Sequence, residues 1–186
     1  YCFMYTDGSK DGSKVTAAAV PSRDDVITFR LPDNAFIFTA ELKAIGLLLD
    51  QIISEGYDRM RYFIFTDSLS SMQALQNEIT SNPVIVDILE KLSRICATAQ
   101  LVFCWIPSHM GIPGNELADR AAKAALNQPI LPFGVPCSDF KPLVNSFICN
   151  FWQTSWDDPM NTNNNLRSIK PVLGEWLPSL RTCRRE

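Results

Sequence analysis

Apolar residues recur along this chain in two rhythms. At the start Tyr1, Phe3 and Tyr5 alternate with Cys2, Met4 and Thr6, the period of a strand, and Asp7-Gly8-Ser9 marks its end. Asp11-Gly12-Ser13 is a turn signal. Lys14 to Val20 and Val26 to Leu31 predict two further strands joined by a turn from Pro21 to Asp25, and the three together form an antiparallel meander. From Phe38 to about Glu55 the rhythm becomes helical: Leu42, Ile45, Leu48, Leu49, Ile52 and Ile53 share one face, with Thr39 as the expected cap and Gly56 as the stop. Tyr62 to Phe65 reads as a short strand leading to Thr66-Asp67-Ser68, and a brief helix follows from about Ser68 to Gln76. Asn82-Pro83 then opens a helix with the stripe Ile85, Ile88, Leu89, Leu92, Ile95 and Cys96. Leu101 to Ile106 is an unbroken apolar run, expected as a strand buried on both faces with Trp105 in the core or just behind a site. Pro107 stops it, Gly111, Pro113 and Gly114 shape a loop, and Asn115 is the expected cap of a helix running to Leu126. The order β-β-β-α-β-α-α-β-α predicts a mixed α/β sheet covered by helices.

After residue 128 the pattern changes. Pro129, Pro132, Pro136 and Pro142 break up the next stretch, a helix is expected around Leu143 to Trp156, Asn161 to Asn165 is polar, and Arg167 to Glu186 is irregular and basic. The expected organisation is one domain over residues 1–128 and a partly helical appendage or linker over residues 129–186. Tyr1 falls inside a strand, as expected of a piece of a longer protein.

Composition adds a few constraints. A hydrophobic content of 46% supports a sizeable core, and a net charge of −3 supplies no overall field for nucleic acid. The six cysteines include no C-x-x-C pair and read as free thiols in a reducing, intracellular compartment. With one histidine and no paired cysteines, a structural zinc site is not expected. Nothing resembles a signal peptide or a membrane span.

The chemistry lies in four acids. Asp7 and Asp67 are expected at strand ends, where ligands bind in mixed α/β sheets. Glu41 shares a face with Ile45, Leu48 and Ile52, so it faces the sheet; Asp119, with Ala122 and Leu126, has a similar place on the last helix. Taken singly each has another reading: Asp7 as a turn former, Glu41 and Asp119 as partners of a helix dipole, Asp67 as a cap, and His109 as an ordinary loop residue. Four carboxylates converging on one sheet edge would repel each other, and a divalent cation, Mg²⁺ or Mn²⁺, would relieve that.

Four sequence blocks carry a resemblance: Tyr5-Thr6-Asp7-Gly8-Ser9, Thr39-Ala40-Glu41-Leu42, Thr66-Asp67-Ser68, and Ile106-Pro107-Ser108-His109-Met110-Gly111-Ile112-Pro113-Gly114-Asn115-Glu116-Leu117-Ala118-Asp119. In this order they resemble the type 1 ribonuclease H family. The last block is the most specific. The resemblance implies a ribonuclease H-like fold, with a mixed five-stranded sheet of three antiparallel strands and two later parallel ones. It makes Asp7, Glu41, Asp67 and Asp119 the metal-binding acids and His109 the mobile-loop histidine. Within that family it looks like the domain that non-LTR retrotransposons encode downstream of a reverse transcriptase. Phe151-Trp152-Gln153-Thr154-Ser155-Trp156, Leu166-Arg167, Ile169-Lys170-Pro171 and Arg184-Arg185-Glu186 resemble the connector that follows that domain. One departure is the lack of a tryptophan-rich basic protrusion after Asp67, which implies modest grip on substrate or dependence on neighbouring domains.

The implied reaction is hydrolysis of the RNA strand of an RNA–DNA hybrid by two Mg²⁺ ions about 4 Å apart, with Mn²⁺ as substitute. Asp7 is expected to be the shared ligand, Glu41 and Asp67 to complete one site, and Asp119 the other. His109 would aid product departure or touch the scissile phosphate. Weaker expected substrate contacts are Gly8, Ser9, Ser68, Asn115 and Glu116, with Lys10, Lys14 and Lys123 near phosphates. The implied partners are the hybrid and a covalently linked reverse transcriptase, with no membrane. Rival readings are a polynucleotidyl transferase of the same fold, opposed by the block from His109 to Asp119, and a catalytically silent hybrid-binding or spacer domain, opposed by the presence of every acid. A carboxylate glycosidase is a third, for which no aromatic-lined groove can be deduced.

Overall fold

The computed structural model describes residues 1–56, 61–77, 79–158, 160, 165–172 and 174. Cys183, Arg184-Arg185-Glu186 and most of the polar run after Met160 lie outside them. The strands are β1 (Cys2–Asp11), β2 (Lys14–Val20), β3 (Ile27–Leu31), β4 (Arg61–Thr66) and β5 (Gln100–Trp105). The helices are α1 (Ile37–Glu55), α2 (Leu69–Gln76), α3 (Pro83–Cys96), α4 (Pro113–Ala124) and α5 (Cys137–Asp157). The strands form one five-stranded mixed sheet in the order β3-β2-β1-β4-β5. The first three pair antiparallel, whereas β1–β4 and β4–β5 pair parallel. The chain divides into two compact units, Tyr1–Asp139 and Phe140–Glu186.

Alternation along β1 sends successive side chains to opposite faces. Met4 joins Leu42, Ile45, Leu48, Leu49 and Ile52 of α1, Ile64 of β4, and Ile88 and Ile95 of α3 in the main core. Each fully buried aliphatic side chain there contributes about 1.5–3 kcal/mol. On the opposite face α4 lies over β1 and β2, where small residues allow a close approach: Ala18, Ala118 and Ala122 are fully buried, and the Thr16 hydroxyl donates to the Ala122 carbonyl at 2.7 Å. Gly114 at the start of α4 lies against Tyr5, and a Cβ there would stand 2.2 Å from the ring. Glycine to alanine in a helix ordinarily stabilises. Here Gly114→Ala is expected to lower stability by about 1–3 kcal/mol, because ring or helix must shift; thermal melting at several denaturant concentrations measures it, and a rise in stability would contradict this packing.

Local signals settled some boundaries. Asn82 caps α3, accepting from the Val84 amide at 2.9 Å with Pro83 first in the helix, and Gly56 ends α1 at φ 76°. Others differ from expectation. β1 does not stop at Asp7; it pairs with β2 through Asp11, and only its parallel ladder with β4 ends, at Thr6–Thr66. β5 is an edge strand with partly exposed side chains, not one buried on both faces, and Trp105 is half-exposed. Thr39 is not the α1 cap, because the helix already begins at Ile37. Asn115 is not the α4 cap either; Pro113 starts that helix, which carries Asn115 inside, buried. Asp119 accordingly lies nearly two turns into α4 rather than one.

In the second unit α5 continues to Asp157, with Pro142 inside it rather than before it. The Trp156 indole N–H donates to the Lys170 carbonyl at 3.1 Å, and the Arg167 guanidinium lies 3.6 Å from Asp157. Cys2, Cys96, Cys104, Cys137 and Cys149 are free thiols. No helix among the described residues is long and apolar enough to cross a membrane.

Candidate active site

The strand order places a topological switch beside β1: β2 and β3 lie to one side, β4 and β5 to the other. Ligands bind at such points, beyond the carboxyl ends of the parallel strands. Asp7 and Asp67 are the residues next after the last parallel pair, Thr6 and Thr66, and therefore emerge side by side. The Thr66 hydroxyl accepts the Ser68 amide at 3.2 Å, bending the chain behind Asp67 into α2.

Glu41 reaches this edge from α1. It comes so near β1 that a Cβ on Gly8 would lie 3.1 Å from its carboxyl carbon, its Oε1 and its backbone nitrogen. The absence of a side chain on Gly8 is what admits the helix. Asp7, Glu41 and Asp67 each offer a carboxylate oxygen within 4.8 Å of the others. Asp119 approaches from α4 and lines the same open cleft, along with Gly8, Ser9, Lys10, Ser68, Ser108, His109 and Lys123. A second group, His109, Glu116 and Asp119, brings its ligand atoms within 4.8 Å of one another. The structure thus gathers all four acids and the histidine on one cleft.

The electrostatics are those of a crowded anionic site. Burial, then Asp67 and Asp119, push the Asp7 carboxyl up to about 7, against the opposing pull of Lys123 and the Gly8 amide. Burial, then Asp7 and Asp67, push Glu41 well above the ordinary carboxylate range. Asp7 Oδ2 and Glu41 Oε2 are buried with no hydrogen-bond partner among the described residues. Unpartnered buried carboxylate oxygens of this kind fit a hard divalent cation, which takes oxygen ligands and offsets their mutual repulsion. Asp119 is already paired with Lys123, one helical turn on, at 2.8 Å.

Trp105 stands just behind the site, one of its two expected places, whereas the other supporting contacts were not legible in the sequence. Asp67 is held from two directions: the Trp105 indole N–H donates to its carbonyl at 3.1 Å, and Asn115 Nδ2 lies 3.4 Å from its Oδ2. Asn115 therefore braces an acid rather than lining the cleft. Glu116 accepts from the Gly111 amide at 3.4 Å and steadies the loop. His109 is exposed on that loop with φ 56°, a left-handed conformation uncommon outside glycine. Lys14 is engaged away from the cleft by Asn127 at 2.8 Å, whereas Lys10, on the cleft lining, donates to the Ala35 carbonyl at 3.0 Å. Ser108 and the Lys123–Asp119 pair were missed; an acid four residues before a lysine on one helix was the available signal for the pair.

The RNase H family model matches residues 1–127, a span that includes every acid of this cleft. The chain belongs to the RNase H family. This RNase H domain is 41% identical over 49 residues to a ribonuclease H of Desulforamulus reducens, covering 26% of the chain and 31% of that protein. It is 35% identical over 138 residues to the Gag-Pol polyprotein of bovine immunodeficiency virus, covering 72% of the chain and 8% of the polyprotein. It is 33% identical over 127 residues to the Pol polyprotein of equine infectious anemia virus, covering 64% of the chain and 10% of the polyprotein. The matched region is thus less than a third of each relative's length.

Proposed function

We propose that this RNase H domain cleaves the RNA strand of RNA–DNA hybrids endonucleolytically, leaving 5′-phosphate and 3′-hydroxyl ends, with two Mg²⁺ ions as cofactor and Mn²⁺ as substitute. The observation that carries the reading is the convergence of Asp7, Glu41, Asp67 and Asp119 on one cleft, where buried oxygens of Asp7 and Glu41 have no partner among the described residues. When bound, the ions supply water activation and charge compensation at the leaving oxygen.

The side chains divide the remaining work. Asp7 clusters with Glu41 and Asp67 and also feels the charge of Asp119, which suits a ligand shared by two cation sites. Glu41 and Asp67 complete one site, and Asp119, paired with Lys123 at 2.8 Å, serves the other. Trp105 and Asn115 keep Asp67 in place. His109, on the exposed loop at the rim, takes part in product departure, for which a loop position suits a group that must move. Ser9, Ser68 and the Gly8 backbone position the duplex, which the domain distinguishes from DNA by its 2′-hydroxyls and groove shape.

We also read the chain as part of a retroelement polyprotein downstream of a reverse transcriptase, in the manner of non-LTR retrotransposons, with residues 1–128 as its catalytic domain. Similarity to viral Gag-Pol and Pol polyproteins and the connector-like blocks after Phe151 support this. The activity is tested with end-labelled hybrid, duplex DNA, duplex RNA and single-stranded RNA, each with Mg²⁺ or with EDTA. Cleavage restricted to the RNA of the hybrid and abolished by EDTA is expected. Cutting of duplex DNA would favour a different polynucleotidyl transferase, and hybrid binding without cleavage would mean a silent binding domain.

A further inference from the structure

The helix that carries Glu41 begins without a cap of its own. Phe36 precedes α1 and offers no side-chain acceptor, and the first turn contains no acid. A helix start leaves backbone N–H groups unpaired and carries partial positive charge. Both needs are met by Asp139, beyond residue 127 where the family match ends. Its Oδ2 accepts the Phe36 amide at 2.8 Å and the Thr39 hydroxyl at 2.7 Å, and its Oδ1 accepts the Ser138 hydroxyl at 3.0 Å. The carboxylate thus does what an acid in the first turn of α1 would do, from about a hundred residues downstream.

The route to that position is built. The Leu131 amide donates to the Arg30 carbonyl at 3.0 Å, against the edge strand β3. Phe133 meets Phe29 edge-on with ring centres 5.9 Å apart, and Lys43 Nζ lies 4.5 Å from one ring centre and 5.4 Å from the other. The Asp139 amide then donates to the Pro136 carbonyl at 3.0 Å, and the residue ends 2% exposed. A side chain so buried, whose hydrogen bonds among the described residues are directed at the start of α1 or at its own turn, fixes where that helix begins. Glu41 lies directly after this pinned turn and has almost no clearance against Gly8, so a small displacement there moves its carboxylate.

We infer that Asp139 is a positioning residue: it pins the start of α1 from outside the family-matched region and so sets where Glu41 stands relative to Asp7 and Asp67. This rests on Glu41 being a metal-facing acid. The test uses the full 186-residue chain and its Asp139→Ala, Asp139→Asn and Thr39→Val variants, well below their melting temperatures. Two readouts need no nucleic acid: calorimetric binding of Mg²⁺ and of Mn²⁺, and hydrogen exchange of the Ala40, Glu41 and Leu42 amides. Asp139→Ala is expected to weaken divalent-ion affinity by about 10-fold, the lower end for losing an outer partner of a metal ligand, and to speed exchange at those amides. Asp139→Asn keeps an oxygen for the same two donors and should recover most of the affinity, while Thr39→Val, which removes one donor, should fall between. If Asp139→Ala does not fold, the order wild type, Asp139→Asn, Thr39→Val decides the matter. Faster exchange with unchanged ion affinity would overturn the inference and leave Asp139 a structural latch. A wild-type chain that binds neither ion would instead overturn the metal reading of Glu41, and this inference with it.

Discussion

Replacing Asp7 by Asn is expected to reduce hydrolysis of the hybrid by about 10³-fold or more while stabilising the metal-free protein above pH 7. Both effects come from one charge. Asp7 is 6% exposed, and its Oδ2 has no hydrogen-bond partner among the described residues. It is also the acid whose surroundings include Asp67, Asp119 and, within the carboxylate cluster, Glu41. Asparagine keeps the shape and one oxygen but brings no negative charge to a cation. A loss of 10³-fold is about 4 kcal/mol of transition-state stabilisation, a reasonable amount for a central ligand. In EDTA the sign reverses, because folding no longer buries a carboxylate among like charges. Initial rates on labelled hybrid and melting by circular dichroism at pH 8 measure the pair. A variant within 10-fold of wild type in rate would remove Asp7 from the mechanism, and one that lost both rate and stability would make it a structural residue.

The metal-free protein should lose stability as pH rises from about 4 to about 8, against the usual behaviour of salt-bridged carboxylates. Asp7 in the folded state holds its proton up to about 7, whereas in the unfolded chain it releases it near the ordinary value of 3.8. Glu41 is shifted in the same direction. Through this window the native state binds more protons than the unfolded state, so stability falls with rising pH: full below the unfolded value, lost as pH passes the folded one. For Asp7 alone the difference amounts to at most about 4 kcal/mol, or a melting temperature lower by roughly 10 °C in a chain of this size. On the proposed function Mg²⁺ binds the folded, deprotonated cluster, so adding it at pH 8 should restore much of the loss by mass action, and at pH 5 far less. Melting curves across pH in EDTA and in Mg²⁺ provide the measurement. A flat or rising profile in EDTA would mean that the carboxyl groups are not packed together as described.

These expectations depend on features the chain declares to different degrees. The α1 stripe from Leu42 to Ile53, the Asn82-Pro83 start of α3, the Gly56 stop and the order of strands and helices could be read directly, because period, caps and turn residues act over a few positions. The four acids could also be picked out, three of them in short blocks and one in a long specific one. The exposure of Trp105 could not be read in the same way. Its apolar strand is an edge strand, and exposure follows from strand order, which no local window contains. Local preference makes Asn115 a cap because Asn caps helices well; Pro113 starts the helix earlier, and the side chain turns to Asp67 instead.

By itself, then, the sequence determined which segments become strands and helices, which faces are apolar, and which acids are available for chemistry, since these follow from near-neighbour sterics, hydrogen bonding and side-chain type. Only the tertiary structure decided that β1 runs on past Asp7 to pair with β2, that Gly8 is the gap through which Glu41 arrives, and that Asp139 serves as acceptor for the start of α1. Those are contacts between segments far apart in the chain. Their partners are selected by register and packing across the whole sheet, and no stretch of residues records them until the chain has closed.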